Sequence, residues 1–157
     1  MILPGATLGM LGGGQLGRMF VSAAQTMGYK VIVLEPDVTS PAGIIADQHI
    51  CAEYTDEVAL QQLAEQCDAI TTEFENIPAT VLSFLEKKTV VHPSSKALSS
   101  TQNRLVEKAF IESLGISVAP YAAIRTVEDI DAIAESFQFP AILKAASFGY
   151  DGKGQAV

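Results

Sequence analysis

Two lysines and a run of glycines near the end of the chain have the types and spacing to hold a polyphosphate. A short apolar stretch, Ala141-Ile142-Leu143, delivers Lys144, and the chain continues through Phe148 into Gly149-Tyr150-Asp151-Gly152-Lys153-Gly154-Gln155. Backbone amides of a glycine-rich loop and two ammonium groups can surround phosphate oxygens. In phosphoryl transfer such groups stabilise the charge that builds on those oxygens, while a mobile loop excludes water. Without Lys144 and Lys153, the Asp151-Gly152 pair would read as an ordinary hairpin turn. The sequence stops two residues after the loop. A nucleotide-binding lobe needs further strands behind such a loop, so the expectation is the front part of a longer enzyme.

An earlier loop competes for similar chemistry. Gly12-Gly13-Gly14-Gln15-Leu16-Gly17 has the GxGxxG spacing, and Glu35 follows Gly17 by 18 positions (35 − 17). A dinucleotide fold places its ribose carboxylate at roughly 20. The pattern by itself supplies a tight turn and amides at a helix start, which attract any phosphate or carboxylate, and nicotinamide is not specified. Three plain alternatives stay open. The glycines could serve close helix packing. Glu35-Pro36-Asp37 could be a solvated turn. Arg18 could be a solvated helix-face residue rather than a cation beside the anion. His49 and His92 fall in strand signals with no partner at a triad spacing, and neither is assigned a catalytic role. No His, Cys or carboxylate cluster has metal-ligand spacing.

The elements that must position these residues alternate strand and helix over the first hundred positions, the pattern of an α/β domain with a parallel sheet. Residues 7–11 predict the first strand. Leu16, Met19, Phe20, Ala23 and Met27 recur at helical spacing and predict a helix that stops at Gly28. Residues 31–34, 49–52, 69–72 and 90–92 predict further strands. Thr55 is expected to cap a helix whose Leu60, Leu63, Ala64 and Cys67 share a face, and Pro78 to open another carrying Val81, Leu82 and Leu85. The serine-rich stretch 94–100 is the expected boundary, giving domains 1–100 and 101–157. Beyond it, 104–114 predicts a helix stopped by Gly115, and 118–124 a strand with Pro120 near its start or edge. Thr126, with Asp129 three residues on, predicts a capped helix presenting Ile130, Ile133, Ala134 and Phe137 inward.

At 157 residues and 48% hydrophobic, the chain can make one domain plus the opening of a second. Its net charge of −8 argues against nucleic acid as a partner, because backbone-phosphate binding relies on clustered Lys and Arg. Cys51 and Cys67 form no CxxC pair and are expected to be reduced, buried thiols. The N-terminus lacks a basic stretch followed by an apolar one, and no apolar run approaches the roughly 20 residues of a membrane span. A soluble, cytoplasmic protein is the expectation.

Three segments together carry a resemblance: residues 12–19 (GGGQLGRM), 72–78 (TEFENIP) and 149–155 (GYDGKGQ). In this order and spacing they resemble N5-carboxyaminoimidazole ribonucleotide synthetases, ATP-grasp enzymes of purine biosynthesis also called the ATPase subunit of phosphoribosylaminoimidazole carboxylase. The resemblance covers essentially the whole chain, and the first segment alone would be weak. It implies a Rossmann-like parallel-sheet domain followed by the beginning of an ATP-grasp lobe. It also implies an ATP-dependent carbon-nitrogen ligase. Such an enzyme uses ATP and Mg²⁺ to activate bicarbonate as carboxyphosphate, then carboxylates the exocyclic amine of 5-aminoimidazole ribonucleotide, releasing ADP and phosphate. A homodimer is implied at full length, with Mg²⁺ ligands beyond residue 157, and this segment alone is expected to be inactive.

Carried over by position, Arg104, Lys144, Gly149, Tyr150, Asp151, Gly152, Lys153, Gly154 and Gln155 are the implied ATP contacts. Gly14, Gln15 and Leu16 are implied to face the ribonucleotide's phosphate, and Glu73 the ribonucleotide itself. Tyr150, Asp151 and Lys153 are implied to touch it when the loop closes. Asn103-Arg104 stands where many ATP-grasp relatives have Asp-Lys, which keeps the cation and changes the donor geometry. Plain alternatives remain: Glu73 and Glu75 as solvated carboxylates, Tyr150 as a packing residue, Lys153 as an exposed lysine. Competing functions are another ATP-grasp ligase with a different acceptor, a nicotinamide-dependent oxidoreductase, and a non-catalytic nucleotide-sensing module.

Overall fold

Short, mostly apolar runs of two to five residues build the sheet. β1 (Thr7–Leu11), β2 (Lys30–Leu34), β3 (Gln48–Ile50), β4 (Ala69–Thr72) and β5 (Val90–Val91) lie in the order β3-β2-β1-β4-β5 in a computed structural model. Every neighbouring pair is parallel, and the order is that of a doubly wound α/β sheet. The structure describes residues 1–134, 137, 139–149 and 154–156. Its contacts divide the chain into two units, Met1–Ser99 and Ser100–Val157.

In the first unit, strand alternation feeds two cores. Met10, Val31 and Val33 meet Val21 and Ala24 of α1 (Gln15–Thr26) on one face, together with Ala42. Leu11, Ile32, Leu34 and Ile70 meet α2 (Glu57–Gln66) and α3 (Ala79–Leu85) on the other, through Leu60, Leu63, Val81, Leu82 and Leu85. β2 is therefore apolar almost throughout, as a strand covered on both sides must be.

Several sequence expectations shift here. Helix α1 forms, but the stripe that predicted it faces outward: Leu16, Met19 and Met27 are 61%, 66% and 61% exposed. The buried face is Gly17, Val21 and Ala24, small residues that let the helix sit close to the sheet. At Gly17 an added Cβ would lie 2.7 Å from the Gly12 carbonyl oxygen. The cap of α2 is Asp56 rather than Thr55, its carboxylate accepting from the Val58 and Ala59 amides at 2.9 and 3.0 Å. The serine-rich stretch forms a helix, α4 (Ser95–Thr101). Cys67 is buried and its thiol is pushed up to about 12 by desolvation, with Asp68 adding to it. Cys51 is exposed, against expectation.

The second unit contains α5 (Arg104–Ser113), α6 (Val127–Ala134) and an antiparallel ribbon of β6 (Leu143–Lys144) and β7 (Gln155–Ala156). Gly115 follows α5 at φ +76°, the left-handed stop expected of it. Asp129 accepts from the Arg125 and Thr126 amides at 2.7 and 3.0 Å and so closes the start of α6. The predicted strand at 118–124 does not form. Pro120 lacks an N–H, and among the described residues no strand lies beside this stretch to pair with it. The predicted inner face of α6 is not buried either, Ile130 being 42% exposed. Among the described residues no helix is long and apolar enough to cross a membrane.

Candidate functional site

In a doubly wound sheet, ligands collect beyond the carboxyl ends of the strands, where the strand order reverses. Here that point lies between β1 and β4, and the loops after both converge on it. A crevice of about 310 Å³ is lined by Gly12, Gly13, Gly14, Glu35, Asp37, Ser40, Pro41, Tyr54, Glu73 and Phe74. Four strands contribute: Gly12 to Gly14 follow β1, Glu35 to Pro41 follow β2, Tyr54 follows β3, and Glu73 and Phe74 follow β4.

The glycines of the first loop are required mainly by the chain's own carboxylates. Gly12 sits at φ +108°, where other residues are strained, and a Cβ there would be 3.3 Å from Glu73 Oε1. A Cβ on Gly13 would lie 2.4 Å from Glu35 Cγ, and one on Gly14 would lie 3.3 Å from Glu73 Oε1. The Gly13 amide donates to Glu35 Oε2 at 2.7 Å. The Tyr54 hydroxyl donates to the same oxygen, and the Asp37 amide reaches Oε1 at 3.2 Å. Glu35 is thus turned onto the glycine loop and is not held out for a ribose, as a dinucleotide site would need. Arg18 is partly exposed, and its Nη1 donates to the Pro41 carbonyl at 3.1 Å, which ties the start of α1 to the loop after β2.

Burial pushes the Glu73 carboxyl up, the nearby Glu35 charge pushes the same way, and the Gly17 and Gly14 amides oppose both. Burial likewise raises the Tyr54 hydroxyl, and its bond to Glu35 adds to that. His49 is structural, its Nε2 lying 2.9 Å from the Glu35 carbonyl oxygen. The lining holds three carboxylates and neither lysine nor arginine. Such a surface suits a ligand that offers hydroxyl or amino donors. Any anionic part of the ligand would have to turn to the positive end of α1, where Gly14, Gln15 and Leu16 are exposed.

The expected residues Gly14 and Glu73 are therefore brought together, with Gln15 and Leu16 following at the exposed helix start. Asp37, Ser40, Tyr54 and Phe74 were missed by sequence reasoning. The signal that could have found them is position, since each follows the carboxyl end of a parallel strand.

The second glycine loop belongs to the Ser100–Val157 unit. Lys144 pairs with Gln155 across the β6–β7 ribbon, and both are exposed. The Arg104 amide donates to the Ala146 carbonyl at 2.8 Å, and Asn103 Nδ2 to Ser147 Oγ at 3.3 Å. These bonds bring the start of α5, with Arg104 exposed on it, onto the segment between Lys144 and Gly149. Gly154 turns at φ +70°. Tyr150, Asp151, Gly152 and Lys153 lie outside the described residues.

Residues 5–102 match the family described as the ribonucleotide synthetase preATP-grasp domain. The chain belongs to that family. Residues 109–157 match the ATP-grasp domain, so the preATP-grasp unit is followed by the start of an ATP-grasp unit. Among curated relatives, the N5-carboxyaminoimidazole ribonucleotide synthase of Bacillus subtilis (strain 168) is 45% identical over all 157 residues, which are 41% of its own length. The crystal structure of N5-carboxyaminoimidazole synthetase from Staphylococcus aureus complexed with ADP superposes with a TM-score of 0.93 at 45% identity, covering 98% of this chain and 41% of that one. The Aspergillus clavatus N5-carboxyaminoimidazole synthase in complex with ADP and 5-aminoimidazole ribonucleotide gives a TM-score of 0.83 at 30% identity, over 96% of this chain and 40% of that one. The preATP-grasp chain described here thus spans about two fifths of the length of the relatives it matches.

Proposed function

We propose that this chain is the N-terminal part of an ATP-dependent carbon-nitrogen ligase that carboxylates 5-aminoimidazole ribonucleotide in purine biosynthesis. One observation carries the reading. At the sheet's switch point an acid-lined crevice places Glu73 against the exposed start of α1, in a chain that superposes on a relative described with ADP and that ribonucleotide. In this reading the Gln15 and Leu16 amides, with Gly14, hold the ribonucleotide's phosphate. Glu73 accepts a hydrogen bond from one of its donors and fixes the amine's orientation.

ATP belongs to the second unit. Arg104, Lys144, Gly149, Gly154 and Gln155, with Tyr150, Asp151, Gly152 and Lys153, are proposed as its contacts, and the last loop as its cover. Tyr150, Asp151 and Lys153 are proposed to reach the ribonucleotide as well. The hydrogen bonds that join the Arg104 start of α5 to the segment leaving Lys144 support this. Bicarbonate is the proposed carbon source. Among the described residues no group of three or more His, Cys, Asp or Glu side chains could hold a metal. The ligands for Mg²⁺ are proposed to lie beyond Val157. We place the domain boundary at residue 100, the first domain being Rossmann-like, and the protein in the cytoplasm.

For the assembly we propose a homodimer of the full-length protein.

The function is tested by calorimetry on the full-length protein, comparing 5-aminoimidazole ribonucleotide with glycinamide ribonucleotide. Preference for the first, with bicarbonate-dependent ATP turnover that the 157-residue segment lacks, is the expected result. Preference for the second overturns the acceptor. Replacing Glu73 by Gln is expected to raise KM for the ribonucleotide by about 10- to 100-fold, the loss of a charged hydrogen bond of about 1.5–3 kcal/mol.

A further inference from the structure

Glu35 carries more hydrogen bonds than a strand-end carboxylate needs. Its Oε2 accepts from the Gly13 amide at 2.7 Å and from the Tyr54 hydroxyl, and its Oε1 from the Asp37 amide at 3.2 Å. Its backbone carbonyl faces His49 Nε2 at 2.9 Å. Tyr54 in turn lays its ring on Phe74, centroids 5.9 Å apart at an interplanar angle of 39°. Phe74 is the residue next to Glu73. The chain of contacts therefore runs from the glycine loop after β1, through Glu35 after β2 and Tyr54 after β3, to Phe74 and Glu73 after β4. Four strand ends that share no sequence proximity are tied into one ring around the crevice.

We propose that Glu35 and Tyr54 form a positioning pair that sets the glycine loop and Glu73 in the geometry that receives the ribonucleotide. This rests on the reading of Glu73 as a ribonucleotide contact. Neither residue is required to touch the ligand. Glu35 holds the Gly13 amide, which fixes the turn into α1 and hence the direction of the Gln15 and Leu16 amides. Tyr54 holds Glu35 by its hydroxyl and the Glu73 segment by its ring, so the two ligand-facing edges keep a constant separation. A displacement of a positioning group by about 1 Å is enough to cost roughly 100-fold in reactivity.

The pair also acts on charge. The groups that face Glu73 are Glu35 and Asp37 from the loop after β2 and Tyr54 from the loop after β3, opposed by the Gly14 and Gly17 amides. Arg18, the charged residue of α1, is held on the Pro41 carbonyl. The Glu35 charge favours the protonated form of Glu73. Removing it lets Glu73 stay ionised to lower pH.

The test uses the full-length protein with 5-aminoimidazole ribonucleotide and ATP, in three variants. Tyr54→Phe keeps the ring and removes the hydroxyl; it is expected to raise KM for the ribonucleotide roughly tenfold, with KM for ATP within about twofold of the parent. Glu35→Gln is expected to do the same and to move the acid limb of kcat/KM for the ribonucleotide to lower pH. A role confined to stability would lower the melting temperature and leave that limb in place. Glu73→Gln serves as the control. If it raises KM while Tyr54→Phe and Glu35→Gln leave both KM and the limb unchanged, the positioning pair is wrong. If Glu73→Gln itself leaves KM unchanged, the reading of the site is wrong instead. Should Glu35→Gln fail to fold, the KM of Tyr54→Phe decides.

Discussion

At Gly13, in the loop after β1, an added Cβ would meet Glu35 Cγ at 2.4 Å and Ser40 Cβ at 2.7 Å. At Gly154, in the ribbon after β6, the nearest atom would be Ala145 Cβ at 3.2 Å, and φ is +70°. The first glycine is fixed by crowding and the second by backbone conformation. The same contrast runs through the two units. The buried residues of α1, α2 and α3 pack on a parallel sheet, whereas α5 and α6 have none. A crevice built on the first kind of scaffold is set before any ligand arrives, because the carboxylates and glycines that shape it are already packed together. A loop on the second kind is set by a pair of two-residue exposed strands.

The largest expected effect separates the scaffolds directly. Leu82 is fully buried between α3 and the sheet, so Leu82→Ala should cost about 2–5 kcal/mol of first-unit stability. Phe110 on α5 is 50% exposed, and Phe110→Ala should cost about 1 kcal/mol or less. Chemical denaturation of the 157-residue chain measures both. Equal losses would break the contrast.

Much of the first scaffold was legible because its strands are short apolar runs closed by glycine, proline or polar residues, as at Thr7–Leu11 and Lys30–Leu34. The face of α1 was not. Hydrophobic period points to Leu16, Met19 and Met27, yet helix-to-sheet packing selected the smaller Gly17, Val21 and Ala24, of which Gly17 and Ala24 score weakly in a hydrophobicity pattern. Residues 118–124 have strand composition but, among the described residues, no strand beside them, and pairing is a tertiary fact that composition does not carry. In the site, Gly14 and Glu73 were marked by their motifs. Tyr54 lies in an irregular stretch with no motif, and the partner of Glu35 could not be known until the β1, β2 and β3 ends were placed side by side.

A smaller effect tests the glycine contrast. Gly13→Ala should cost about 1–3 kcal/mol by overpacking against Glu35 and Ser40, and it should weaken ribonucleotide binding, because the Gly13 amide would be pushed off Glu35. Gly154→Ala should cost about 1 kcal/mol through its left-handed φ and leave first-unit melting unchanged. A Gly13→Ala variant as stable as the parent, by thermal melting, would mean that the loop relaxes easily and is less preset than the packing indicates.

The smallest effects come from two helix caps of the same design. Asp56 accepts from the Val58 and Ala59 amides, and Asn103 accepts from those of Leu105 and Val106 at 3.0 and 3.3 Å. Each cap is worth about 1 kcal/mol. Because α2 buries Ala59, Leu60, Leu63 and Ala64, Asp56→Ala should lower the melting of the whole first unit. With no buried residue on α5, Asn103→Ala should instead appear as faster amide exchange confined to α5. Asn103 has a second role, since its Nδ2 donates to Ser147 Oγ. Ser147→Ala keeps the cap and removes that tether, so it separates the two. Exchange in α5 that matches the parent would assign the helix start to the cap. Exchange that matches Asn103→Ala would assign it to the tether on Ser147, and α5 would then depend on the strand-to-loop segment after Lys144 for its order.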